Sequence, residues 1–126
     1  MDWLTMEEVE RAAKKGRKAA IECSKKHWKQ LSRATKDELS EVEEPYSIVK
    51  DLFCALCHRY RMAKNSCKRC PLYDSEHDPG DNGLCCEECS LALEYYGEMC
   101  YDRTEKKFEA WQKTAKAMYR KLCRVE

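Results

Sequence analysis

Cys54-Ala-Leu-Cys57, nine residues, then Cys67-Lys-Arg-Cys70 sets four thiols where a single ion can gather them. A chain tied at such a point has its middle fixed before its helices are considered. Zinc prefers a tetrahedron of Cys or His ligands, and four thiolates close that shell, so the centre is expected to be structural, with no position left for a substrate. A two-residue gap lets the chain turn so that both sulfurs face the metal while nearby N–H groups bond to them. Pro71 stiffens the exit from the second pair. An iron–sulfur cluster would also accept four cysteines, and buried free thiols can pack as small hydrophobes. The polar neighbours Lys64, Asn65, Lys68 and Arg69 fit a plain core poorly, and zinc is the expected cofactor.

The chain holds ten cysteines, six of them in three Cys-x-x-Cys pairs. Met1-Asp2-Trp3-Leu4-Thr5 lacks the basic start and apolar run of a secretory signal, and no stretch approaches the roughly 20 apolar residues that span a bilayer. The expected location is therefore the cytoplasm, where metal rather than disulfide accounts for paired cysteines. For the third pair two readings stand. Cys86 and Cys89, with Cys100 and His77 or Cys85, form a second metal site, or Cys89, Ala92, Leu93, Tyr96 and Cys100 form a helix stripe that packs in the core. The core reading is preferred, because the remaining ligands would have to come from a loop. Cys23 and Cys123 lie on helix faces without neighbouring ligands and read as packing residues.

Residues 5–35 read as one amphipathic helix, opened by Thr5 with Glu7, Glu8 and Glu10 behind it. Its apolar side runs Val9, Ala12, Ala13, Gly16, Ala20, Cys23, His27 and Leu31, mostly small, with Trp3 and Trp28 as large anchors at its ends. Residues 36–44 are polar and acidic before Pro45 and predict a turn, Ser47 to Phe53 is a short apolar lead into the cysteines, and residues 74–84 predict an exposed acidic loop. Residues 86–124 predict C-terminal helices, the second opened by a capping box in Asp102-Arg103-Thr104-Glu105. Phe108, Trp111, Ala115, Met118, Leu122 and Val125 alternate steps of three and four. That stripe of large residues predicts a partner face of small ones. The expected fold is mainly α: a single domain, residues 1–126, in which N- and C-terminal helices pair or bundle around an irregular zinc-knuckle segment, residues 54–73.

Net charge is only +1, but its distribution is uneven. Between Arg11 and Lys36 lie ten basic residues and one acid, Glu22. The metal segment adds Arg59, Arg61, Lys64, Lys68 and Arg69 with no acid, whereas residues 71–105 carry ten acids against Arg103. Charge segregated this way suits internal pairing or a partner-binding face. A nucleic-acid footprint over residues 11–36 and 59–69 is the alternative, weakened by the small total charge. His27, His58 and His77 have no recognisable nucleophile partner, no open-metal signature appears, and four scattered glycines make no phosphate loop. A non-enzyme is expected.

The run Cys54-Ala-Leu-Cys57-His-Arg-Tyr, followed by Asn65-Ser-Cys67-Lys-Arg-Cys70-Pro71-Leu72-Tyr73, resembles small uncharacterised bacteriophage-encoded proteins. In those, a helical N-terminus with a tryptophan precedes two Cys-x-x-Cys pairs, the second running into Pro-Leu or Pro-Ile and an aromatic, with a later cysteine and a C-terminal helix. Trp28 matches that tryptophan, Cys100 or Cys85 the later cysteine, and residues 84–97 are extra material. The resemblance implies a phage accessory protein in the cytoplasm of an infected bacterium, zinc-stabilised, that binds a host or phage protein. By analogy, one role for such a protein is inhibition of a host defence system, with Arg59, Arg61, Lys64, Lys68 and Arg69 as the candidate partner-binding set.

Overall fold

The computed structural model describes residues 2–40, 54–62, 70–73, 87–102 and 104–125. Helix α1, Met6–Lys15, begins at a full capping box: Thr5 Oγ1 accepts the Glu8 N–H at 3.2 Å, and the Glu8 carboxylate accepts the Thr5 N–H at 3.3 Å. The helix then stops at Gly16, whose φ of 154° lies in a region open to glycine and strained for other residues. Helix α2, Arg17–Arg33, starts immediately beyond it with no side-chain cap.

The expected single helix over residues 5–35 is thus two. The break has a consequence for packing: beyond Gly16 the buried positions become Ala20, Ile21, Ser24, His27, Trp28, Leu31 and Ser32, while Ala12 and Cys23 are only half-buried. The chain before α1 is tied down by Gln30 of α2, whose amide accepts the Leu4 N–H at 3.3 Å and donates to the Asp2 carbonyl at 2.5 Å. Leu4 is buried beneath this clamp.

Where a turn was expected over residues 36–44, a short helix α3, Lys36–Ser40, forms, and residues 41–44 lie outside the described residues. Thr35 and Glu38 explain it, because the Thr35 hydroxyl accepts the Glu38 N–H at 3.1 Å and the Glu38 carboxylate accepts the Thr35 N–H at 3.0 Å. The Thr35 backbone bond also holds the Glu38 carboxyl below its usual pKa. Residues 47–53 and the acidic loop 74–84 lie outside the described residues.

Helices α4, Glu87–Tyr101, and α5, Glu105–Cys123, form an antiparallel pair, and α5 also lies along α2. The N-cap of α5 is Thr104, accepting the Lys107 N–H at 3.3 Å, not Asp102, which ends α4 by donating its N–H to the Glu98 carbonyl at 2.9 Å. Phe108, Trp111, Ala115, Met118 and Leu122 are buried and Val125 is half-buried. Trp111 is the centre of this packing: its ring meets Tyr96 of α4 edge-on at 4.8 Å and Trp28 of α2 at 6.4 Å. The large stripe therefore sits against Ala20 and Leu31 of α2 and Ala92 of α4 in one core. Peripheral ties at the same seams join Lys36 to Glu105 at 2.6 Å and Lys121 to Glu88 at 2.8 Å, each worth little beside the burial. The described residues are mainly helical, with no strand among them, and none of their helices is long and apolar enough to cross a membrane.

Candidate metal centre

Cys54 stands at the entry to a short helical stretch, residues 55–62, which widens into a π-type turn over Cys57–Met62. Its carbonyl accepts the His58 N–H at 3.0 Å, closing the turn that brings Cys57 back beside it. The Cys54 sulfur then meets the Cys57 side chain and the backbone N–H groups of Cys57 and Leu56. Ser24 Oγ, from a fully buried position on α2, lies 3.8 Å away. These donors, that of the Cys57 side chain first, outweigh burial and bring the Cys54 thiol down from 9.0 to about 7. Such a sulfur is prepared to be a thiolate, the form in which cysteine binds metal.

Cys23, the neighbour of Ser24, behaves oppositely. Burial first, then the negative charge of Cys54 and Glu8, raises its thiol to about 11. It stays protonated and half-buried at neutral pH, in keeping with a packing role.

Cys70 opens a tight turn in which the Tyr73 N–H donates to the Cys70 carbonyl at 3.0 Å, with Pro71 at the position where its fixed φ favours the bend. Leu72 is buried and Tyr73 points outward. Cys54, Ala55, Leu56, Cys57, Cys70 and Leu72 all belong to the buried core that α2 and α5 share, so the two described ends of the cysteine segment are anchored to the helices by Leu56 and Leu72. The first turn is held from α1 as well. Arg59 Nη1 donates to the Ala13 carbonyl at 3.0 Å, a carbonyl in the last turn of α1 that the break at Gly16 deprives of its helical partner.

Of the four expected zinc ligands, Cys54, Cys57 and Cys70 are buried, and Cys67 lies outside the described residues. Among the described residues no three His, Cys, Asp or Glu side chains converge as a ligand group. Comparison with family models, with curated proteins and with solved structures gave no match. The residues themselves carry the chemistry.

Of the second candidate set, Cys86 and His77, with Cys85, lie outside the described residues. Cys89 and Cys100 are half-buried along α4, on the side that holds the buried Ala92, Tyr96 and Met99, and the Cys89 thiol donates to Met118 Sδ of α5 at 3.6 Å. Cys123, expected to pack, is exposed instead: it follows Leu122 by one residue and so turns away by about 100°. Of the candidate partner-binding residues, Arg59 is turned inward to Ala13 and lies 5.7 Å from the Tyr60 ring. Lys64, Lys68 and Arg69 are outside the described residues, as is the Arg61 side chain.

Ser24 was not legible as a site residue. Within a helix a lone serine usually points to water, and only the fold reveals that this one is buried against Cys54.

Proposed function

We propose that this protein is a zinc-stabilised helical module, with Zn2+ on Cys54, Cys57, Cys67 and Cys70, that acts by binding another protein and catalyses nothing. The observation that carries the metal is the setting of Cys54: a buried sulfur, supplied with donors from the next turn and from Ser24, in a pair whose spacing suits a tetrahedral ion. Zinc would fasten the segment between the pairs to the helices through sulfurs already embedded in the core, and its binding free energy would add directly to folding.

The partner is a host or phage protein, and the phage-like cysteine-proline run supports an accessory role in an infected bacterium, with inhibition of host defence the role to test first. Tyr73, exposed directly after the Cys70 turn, gives the rigid end of the metal segment an aromatic contact suited to a protein interface. The test is affinity capture from a bacterial lysate with the zinc-loaded protein and with Cys54→Ser. A protein retained only by the zinc-loaded form supports the reading, and equal retention by both forms contradicts it.

A second reading, nucleic-acid binding through residues 11–36 and 59–69, draws support from α1 and α2. Arg11, Lys14, Lys15, Arg17, Lys18, Lys26, Lys29 and Arg33 are all exposed there.

A further inference from the structure

The break at Gly16 opens a cleft of about 700 Å3 lined by Arg11, Lys15, Gly16, Arg17, Lys18 and Glu22, together with Ala12 and Ala19. Four cations and one acid share its wall. Glu22 is paired with Lys25 at 3.4 Å, so its charge is already engaged within α2. Arg11, Lys15 and Lys18 have no ion pair among the described residues, whereas Lys36, Lys107 and Lys121 each meet a glutamate. Arg11 and Lys15 also stand one helical turn apart, a spacing at which like charges repel. The fold gains nothing from this crowding.

Gly16 keeps the cleft open. A side chain added there would meet nothing within 4 Å, so the space above the break belongs to whatever enters from solvent. The positive end of the α2 dipole adds to the field of the cations, and no acid lies in the first turn of α2 to oppose it.

We propose that this cleft binds phosphate groups, with Arg11, Lys15 and Lys18 as the contacting cations. A phosphate oxyanion matches the site in three respects: it relieves the repulsion, it accepts charge-assisted hydrogen bonds from several donors at once, and its bidentate geometry suits Arg11. The cleft is larger than one phosphate, which fits a chain of them, either a polyphosphate or the backbone of a nucleic acid. The assignment deepens the nucleic-acid reading and does not depend on the metal.

The experiment titrates the zinc-loaded chain of 126 residues at low salt with inorganic tripolyphosphate and, separately, with a short single-stranded oligonucleotide. Three proteins are compared: the parent, Arg11→Gln/Lys18→Gln, and Lys113→Gln/Lys116→Gln, which removes the same charge from exposed positions of α5, outside the cleft and outside residues 11–36 and 59–69. Tripolyphosphate binding weakened about tenfold or more by the first pair and little by the second supports the site and a small-phosphate ligand. If only the oligonucleotide binds, with the same pattern, the site stands and its phosphates are those of a nucleic acid. Oligonucleotide binding equal in all three proteins overturns the cleft while leaving nucleic-acid binding in place, and no binding of either probe overturns both. All substituted side chains are exposed, and unchanged far-UV circular dichroism confirms that the variants fold.

Discussion

Trp111→Ala removes the side chain on which three helices meet. The residue is fully buried, and its ring serves Tyr96 at 4.8 Å and Trp28 at 6.4 Å, so truncation empties the centre of the α2, α4 and α5 packing. Tryptophan-to-alanine changes in cores cost about 3–5 kcal/mol, and the loss of two aromatic partners places this one in the upper half of that range. Against a total of about 5–15 kcal/mol, the variant should retain its helices but lose roughly 10–20 °C of thermal midpoint. Trp111→Phe separates volume from polarity. Trp111 Nε1 has no hydrogen-bond partner among the described residues, so phenylalanine loses ring area but removes a buried donor, and should cost no more than about 1–2 kcal/mol. Urea unfolding followed by circular dichroism at the helix band measures both. A loss below about 1 kcal/mol in Trp111→Ala would refute the shared core, since a residue at the junction of three helices cannot be deleted so cheaply.

Gly16→Ala places a side chain at a φ of 154° and should destabilise the protein by about 1–3 kcal/mol in chemical denaturation, through backbone strain alone; stabilisation would mean that α1 and α2 prefer to join. In zinc-free protein, stability should rise on the order of 2 kcal/mol between about pH 6 and 9, because the Cys54 pKa is depressed to about 7 and its contribution is lost as pH falls through that value. It should then decline above about pH 9 as the raised Cys23 thiol, near 11, is forced to ionise. Urea titrations over that range check both limbs, and Cys54→Ser should flatten the lower one. Ser24→Ala should weaken zinc binding about tenfold in a chelator competition without changing the number of ions bound, as is usual for groups that orient a ligand; unchanged affinity would assign Ser24 to packing only.

How much of this was readable beforehand depended on whether a residue's role is local. The α5 stripe from Phe108 to Leu122 was legible because five apolar side chains at helical spacing, four of them large, can bury only one face, and the Thr5 cap because its box is written within four residues. Gly16 was misread because a lone glycine costs a helix only about 1 kcal/mol and the alanine pattern continues across it. That break decides the rest of the N-terminal half, bringing Ser24 into the core and leaving Ala13's carbonyl for Arg59. Neither contact has a sequence signature, since each joins residues more than 25 positions apart. Within the candidate metal centre, spacing named the four cysteines, but the difference between Cys54 and Cys23 is set by the tertiary neighbours that supply donors to one and burial to the other.

Elemental analysis of purified protein decides whether zinc sits on Cys54, Cys57, Cys67 and Cys70. We expect one zinc per chain, lost in Cys54→Ser and Cys70→Ser together with the packing of residues 54–57 and 70–73 on the helices, and kept in Cys23→Ser and Cys123→Ser. Two ions in the parent would add Cys86, Cys89 and Cys100 as ligands of a second site. Full zinc content in the Cys54 and Cys70 variants, or none in the parent, would overturn the four-cysteine site.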